Sequence, residues 1–105
     1  MSRYGLQGRW TFTQCNDLDF ARQWDAALTV DVVFIDTSHK PEQTRLEIAA
    51  YAPLLAPHGA MAFHDTVSEK EGVLIPIEEF LRAHPDAFAF EHFQDCFGLG
   101  IVSRR

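Results

Sequence analysis

Two short apolar runs dominate the pattern of hydrophobic and polar positions along the chain. Residues 30–35 read Val-Asp-Val-Val-Phe-Ile, and residues 59–63 read Gly-Ala-Met-Ala-Phe. Both runs are too short for a buried helix, and the first is rich in β-branched residues. Nearly continuous apolar residues are typical of parallel strands that are covered on both faces. The pattern therefore predicts two buried parallel strands.

A helix is predicted between these two strands. Pro41 is suited to the first helical position, and Glu42 is favourable in the first turn. The helix is expected to continue towards residue 55, although Pro53 removes a backbone donor from its last turn. Its buried face is predicted to consist of four apolar side chains, namely Leu46, Ala49, Ala50 and Leu54.

Weaker patterns flank this strand–helix–strand unit. Residues 10–14 alternate as a short strand would, Asn16 offers a turn or a helix cap, and residues 18–28 have roughly helical spacing. Residues 67–72 are charged and predict a loop. A short helix is predicted over residues 76–83, and the alternating runs 88–93 and 98–102 predict a hairpin. The fold class that follows is α/β, a short parallel βαβ unit with a C-terminal antiparallel hairpin.

Ionisable residues follow both buried strands. Asp36 and His39 come after the first strand, and His64 and Asp65 come after the second. Strands joined by a helical crossover are parallel, so both end at the same edge of the sheet. Ligands of open α/β folds bind at that carboxyl edge. We therefore expect these four side chains to converge on one crevice.

The chemistry of this set suggests a metal site or a proton-transfer site. Asp36, His64 and Asp65 could hold Mg²⁺ or Mn²⁺, with His39 as a further ligand. Zinc is disfavoured because no thiolate or close histidine pair supports it. His64 could instead act as a general base, since imidazole groups exchange protons near neutral pH. The aspartates could also simply cap their loops, and His39 could simply begin the helix.

Composition excludes several other classes of function. The chain has 105 residues, which predicts one domain spanning residues 1–105. Its net charge is −6 with only two lysines, which argues against nucleic-acid binding. No apolar run is long enough to cross a membrane, and the N-terminus lacks the apolar stretch of a signal peptide. Cys15 and Cys96 have no metal-type or redox-type spacing, so we expect reduced thiols in a cytoplasmic protein.

The strand ends also carry a family resemblance. Residues 30–39 read Val-Asp-Val-Val-Phe-Ile-Asp-Thr-Ser-His, and residues 52–66 read Ala-Pro-Leu-Leu-Ala-Pro-His-Gly-Ala-Met-Ala-Phe-His-Asp-Thr. Over about residues 30–102, the chain resembles the C-terminal half of class I S-adenosylmethionine-dependent methyltransferases. The most similar group contains small-molecule O-methyltransferases and cephalosporin-hydroxylase-like proteins. The two buried strands would be that fold's fourth and fifth strands, and the hairpin its last two.

The resemblance implies S-adenosylmethionine as cofactor and a small-molecule acceptor. Catalysis would use Asp36, His64 and Asp65, with Mg²⁺ orienting the hydroxyl groups of the acceptor. Asp36 would also contact the cofactor, and Asp17 would lie near its adenine if residues 10–17 form the third strand. The family's glycine-rich loop and first two strands have no counterpart in this sequence. The resemblance thus implies a truncated, Rossmann-like half-domain without the N-terminal cofactor-binding strands, inactive alone.

In the family's strand order, the fourth strand lies beside the first, so strand 30–35 would become an exposed edge. Such an edge favours pairing with another chain. We therefore expect a homodimer or a partner chain that covers residues 30–35. Two other functions remain open, a non-catalytic oligomerising or ligand-binding module and a metal-dependent hydrolase.

Overall fold

The structure is a computed structural model, and it describes residues 9–105. In that range it contains four strands and three α-helices, with two shorter helical turns. The strands are β1 Val30–Ile35, β2 Leu55–His64, β3 Phe88–Phe93 and β4 Leu99–Arg104. The α-helices are α1 Asp17–Gln23, α2 Pro41–Tyr51 and α3 Ile75–Ala83, and the turns are a 3₁₀ segment Ala52–Leu54 and a π-helical segment Lys70–Leu74.

All four strands form one mixed sheet in the order β1-β2-β4-β3. β1 and β2 are parallel, with Ile35 opposite Phe63, so both strands end at the same level. β4 is antiparallel to both β2 and β3. The predicted α/β class is therefore confirmed, including the parallel βαβ unit and the antiparallel hairpin.

The core lies where β2 meets the helices. Met61 and Phe63 of β2 are completely buried, and Ile48 of α2 and Ile77 of α3 belong to the same cluster. Burial of such large apolar side chains is the main stabilising contribution. The core therefore forms around β2, and it holds the C-terminal end of that strand in place.

The predicted buried face of α2 is partly wrong. Leu46 is 54% exposed, and Ala49 is also exposed, whereas Ala50 and Leu54 pack partly against the core. The buried residues of the helix are Thr44, Glu47, Ile48 and Tyr51. Three of these side chains make internal hydrogen bonds, which hold a partly polar face inward. Apolar spacing alone could not reveal this rotation of the helix.

Three other predictions need correction. Residues 10–14 form no strand, and Trp10 and Phe12 remain exposed. The first helix ends at Gln23, because the indole of Trp24 donates to the carbonyl of Leu28 and folds residues 24–28 into a turn. The expected loop over residues 67–72 leads into the π-helical segment. The side chain of Asn16 does cap α1, as predicted.

One side of β1 has no neighbouring strand among residues 9–105. Val32 and Phe34 on this strand are 68% and 60% exposed. An apolar edge strand of this kind is a template for pairing with further chain. The edge predicted from the family resemblance is therefore present in the described part of the chain.

None of the helices in residues 9–105 has the length and apolar character needed to cross a membrane.

Candidate functional site

The residues that follow β1 and β2 converge as predicted. Asp36 follows β1 directly, His64 is the last residue of β2, and Asp65 comes next. One potential ligand atom from each of these three residues lies within 4.8 Å of the other two. The site exists because the parallel register makes the two strands end side by side.

Asp65 lies between two imidazole rings. Its Oδ2 is 2.9 Å from Nε2 of His39, and its Oδ1 is 3.1 Å from Nδ1 of His64. Asp36 lies near the same two rings. Its Oδ1 is 3.7 Å from Nε2 of His39 and 3.8 Å from Nδ1 of His64. The four predicted residues thus form one cluster of alternating carboxylates and imidazoles.

Within the described residues, Nε2 of His39 is buried and has no hydrogen-bond partner of good geometry. Oδ2 of Asp65 lies 2.9 Å from that nitrogen, but the pair lacks hydrogen-bond geometry. An unsatisfied buried nitrogen is rare in native structures. Its lone pair or proton is therefore available to a metal ion, a water molecule or a substrate.

The backbone of the site is held in an uncommon conformation. His39 and Asp65 have φ angles of 64° and 66°, in the left-handed region that non-glycine residues seldom adopt. Strained backbone of this kind persists only where the surrounding fold imposes it, and it is frequent at functional sites. The two strained residues are also the two in closest contact across the cluster.

Gly72 explains how the segment after β2 supports the site. A Cβ atom at this position would lie 1.7 Å from the carbonyl oxygen of His39, so only glycine allows the approach. The Thr44 hydroxyl donates to the carbonyl of Gly72 at 2.6 Å and fixes the contact from the side of α2. The backbone of His39 is therefore braced by the π-helical segment.

A divalent cation fits this donor set. Two carboxylates supply the hard oxygen ligands that Mg²⁺ and Mn²⁺ prefer, and an imidazole nitrogen is better tolerated by Mn²⁺. Asp36 is about half exposed, which leaves room for water ligands on its side. Asp36, His64 and Asp65 would hold the ion.

One buried acidic residue was missed from the sequence. Glu47 of α2 is completely buried, and the Thr37 hydroxyl donates to its two carboxylate oxygens at 2.9 and 2.7 Å. Burial and a hydrogen bond with Asp17 raise the pKa of Glu47 to about 7, although bonds from Thr37 and Gln43 oppose the shift. Glu47 is one of several charged residues of α2, and no local sequence pattern distinguishes it from the others.

Asp17 lies with Glu47 and not in the cluster at the strand ends. It begins α1, and its Oδ1 accepts a hydrogen bond from Gln43 at 3.1 Å. It also lines a cavity of about 270 Å³ beside β1, together with Trp24, Thr37 and Tyr51. The expectation that Asp17 lies near the adenine of a cofactor was tied to a third strand over residues 10–17, and the structure forms no strand there.

A larger cavity lies elsewhere. A groove of about 550 Å³ between α2 and α3 is lined by Ile48, Phe80, Phe88 and Arg104, among others, and by none of the four residues at the strand ends. Of those four residues, His39 and His64 border a small enclosed space of about 10 Å³, and Asp36 and Asp65 line neither this groove nor the cavity beside β1. We place the functional site at the strand ends because the ionisable groups converge there, and cavity size alone supplies no chemistry.

Comparison with known proteins supports the family resemblance. The family model described as a methyltransferase domain matches residues 1–66, which is more than half of the chain. This match overlaps residues 30–66 of the resemblance and leaves out the hairpin. No curated protein matches the sequence.

Solved structures show the same fold. A Corynebacterium glutamicum protein aligns with a TM-score of 0.77 and 16% identity, covering 98% of this chain and 51% of its own. A Staphylococcus aureus protein, provisionally named as a caffeoyl-CoA O-methyltransferase, aligns with a TM-score of 0.66 and 14% identity. That alignment covers 99% of this chain and 56% of the Staphylococcus aureus protein. A Clostridium thermocellum protein, provisionally named as an rRNA methylase, aligns with a TM-score of 0.69 and 15% identity. That alignment covers 99% of this chain and 65% of the Clostridium thermocellum protein.

The chain therefore spans between about half and two-thirds of the length of these structures. At such low identities the alignments establish the fold, while the match to the family model establishes membership. The structural alignments include the hairpin as well as the two parallel strands, because they cover 98–99% of this chain. This chain belongs to the methyltransferase domain family and has the fold of the C-terminal half of a class I S-adenosylmethionine-dependent methyltransferase.

Proposed function

We propose that this chain carries the acceptor side of an S-adenosylmethionine-dependent O-methyltransferase acting on a small molecule. The observation that carries the proposal is the convergence of Asp36, His64 and Asp65 at the carboxyl ends of β1 and β2. S-adenosylmethionine, when bound, supplies a methyl group on a sulfonium sulfur. The residues of this chain must then orient an acceptor hydroxyl and remove its proton.

Two roles follow from the distances in the cluster. Without a cation, the imidazole of His64 receives the proton of the acceptor hydroxyl, and Asp65 at 3.1 Å stabilises the resulting positive charge. Alternatively, His64 uses its lone pair to hold a divalent cation such as Mg²⁺ together with Asp36 and Asp65, and the proton of the acceptor then passes to solvent. That ion, when bound, would orient the acceptor and lower the pKa of its hydroxyl group.

The cofactor needs more protein than the described residues provide. The enclosed space beside His39 and His64 is only about 10 Å³, close to the space of a single water molecule. The cavity of about 270 Å³ beside β1 has aromatic walls and the acidic Asp17, and it is open at the unpaired edge. We propose that this cavity and Asp36 contact the adenosine part, and that other polypeptide completes the site. The chain alone is then inactive.

The exposed edge of β1 is where that polypeptide would bind. Val32 and Phe34 present apolar surface there, and residues 9–105 contain no strand that pairs with this side of β1. We propose that a second copy of the chain, or a separate partner chain, covers this edge.

Cys15 and Cys96 are both free and exposed, which is consistent with the reducing cytoplasm.

Calorimetric titration with S-adenosylhomocysteine tests the cofactor part of the proposal. The titration is made with and without Mg²⁺, at protein concentrations where light scattering has defined the oligomeric state. Saturable binding is expected in the associated form and not in the monomer. Absence of binding up to millimolar ligand in an associated form would contradict the methyltransferase proposal and favour a non-catalytic module.

Mn²⁺ binding, followed by electron paramagnetic resonance, tests the metal part separately. Asp65→Asn is expected to weaken binding by at least about tenfold, because it removes one charged oxygen ligand. Asp86→Asn, a change of the same kind at an exposed turn, is the control and should leave the affinity unchanged. Equal affinities for the two variants would exclude Asp65 as a ligand. Metal binding without any cofactor binding would favour the hydrolase alternative.

A further inference from the structure

A buried carboxyl group lies directly behind the proposed site. Glu47 projects from α2, is inaccessible to solvent, and accepts both hydrogen-bond contacts from the Thr37 hydroxyl. Thr37 belongs to the segment 36–39, between the proposed ligand Asp36 and the strained His39. The carboxyl group therefore reaches the site through one intervening hydroxyl group.

Stability does not explain this carboxyl group. Burying a carboxyl group is costly unless it is well paired. Among residues 9–105, no lysine, arginine or histidine forms an ion pair with Glu47. Its partners are Thr37, Gln43 and a second acid, Asp17. An apolar side chain of similar volume would fill this position at lower cost.

The hydrogen bonds instead indicate an orienting role. Gly72 fixes the carbonyl of His39, at one end of the segment. The bond between Thr37 and Glu47 fixes the other end, next to Asp36. Both supports originate on α2, since Thr44 holds Gly72 and Glu47 holds Thr37. Helix α2 thus sets the position of the whole segment relative to β2.

We infer that Glu47 is a positioning residue, which orients Asp36 and His39 towards Asp65 through the hydroxyl group of Thr37. This inference rests on the proposed function, because the orientation matters for binding a cation and an acceptor. Groups behind the ligands of a metal site commonly govern affinity in this way, by about 10- to 100-fold. Glu47 itself contacts neither the ion nor the acceptor.

Mn²⁺ affinity and stability, measured on the same variants, test the inference. Glu47→Leu and Thr37→Val are each expected to weaken Mn²⁺ binding by about 10- to 100-fold. Thr37→Ser keeps the hydroxyl group and should keep the affinity. Glu47→Leu should be at least as stable as the wild type in urea, so that affinity and stability move in different directions. Glu42→Leu, on the exposed side of the same helix, is the matched control.

A double-mutant cycle gives the sharpest result. If Glu47 acts only through Thr37, the double variant binds Mn²⁺ as weakly as either single variant, and the effects do not add. Additive losses would overturn the inference, and so would an unchanged affinity in Glu47→Leu. Loss of both stability and affinity in Glu47→Leu, without rescue by Glu47→Gln, would show a purely structural role.

A second readout separates this inference from the metal proposal. If the wild type binds no Mn²⁺, the metal part of the proposed function fails, and the ring resonances of His39 then report the position of the segment. Glu47→Leu and Thr37→Val should shift these resonances, whereas Glu42→Leu should not. The ring of His84, at the end of α3, serves as the internal reference. Unchanged His39 resonances in both variants would overturn the inference.

Discussion

The raised pKa of Glu47 predicts that the free energy of unfolding depends on pH. Its pKa is about 7 in the folded protein against an ordinary value of 4.5, and burial is the main cause. The perturbation that tests this is Glu47→Gln. The amide keeps the size of the side chain and an oxygen that accepts the Thr37 hydroxyl, and its nitrogen can donate to Asp17.

The sign follows from proton binding in the two states. Between pH 4.5 and about 7, Glu47 holds a proton in the folded protein but loses it in the unfolded chain. The contribution of Glu47 to the free energy of unfolding therefore falls as pH rises through this range, and the loss is complete above pH 7. One pKa unit corresponds to about 1.4 kcal/mol, so the full shift sets an upper limit of about 3–4 kcal/mol. Because relaxation of the fold and entry of water reduce the cost of a buried charge, we expect a smaller loss of about 1–3 kcal/mol.

Urea unfolding, followed by circular dichroism at pH 5, 6, 7 and 8, measures this effect. Glu47→Gln should unfold with nearly the wild-type free energy at pH 5 and be more stable by about 1–3 kcal/mol at pH 8. Glu42→Gln, exposed on the same helix, should show no such trend. A difference between Glu47→Gln and wild type that stays constant with pH, or a variant less stable at pH 8, would refute the reasoning.

Three further changes test the packing around the site. Phe63→Ala should lower the free energy of unfolding by about 3–5 kcal/mol in the same assay, since Phe63 is completely buried; a loss below 1 kcal/mol would contradict this placement of the core. Gly72→Ala should shift the His39 resonances and weaken Mn²⁺ binding, because its Cβ atom would clash with the His39 carbonyl; unchanged spectra would disprove the contact. Phe34→Lys should abolish self-association in light scattering if β1 is the interface, whereas Phe97→Lys, an exposed phenylalanine beyond the hairpin strand β3, should not.

Most of the fold, and the position of the site, could be predicted from the sequence. The strand Val30–Ile35 has the predicted bounds, α2 begins at Pro41, and the hairpin strands pair as expected. These elements either have a strong local pattern of apolar residues or begin at a residue, such as Pro41, that favours the start of a helix. The convergence of Asp36 with His64 and Asp65 needed only the parallel direction of two strands.

The failures share a physical origin in tertiary contacts. Leu46 faces solvent because hydrogen bonds to distant residues set the rotation of α2, and no local pattern encodes them. Residues 10–14 have strand-like alternation but no partner strand in the described range. Glutamate is an ordinary helix-forming residue, and Glu47 is unusual only because its side chain contacts Thr37, ten positions away in the sequence. Pattern analysis finds such residues only when their partners are close in sequence.

The place of β4 in the sheet has a consequence for synthesis of the protein. This strand, residues 99–104, is inserted between β2 and β3 and pairs with both. Until it has left the ribosome, β2 has one unpaired side and the hairpin does not exist. The nascent chain therefore exposes one side of β2 from the completion of that strand at His64 until β4 is made, and long-range pairing of this kind is slow to form. A chain interrupted before residue 99 should aggregate or require a chaperone, even though every residue of the candidate site has already been made.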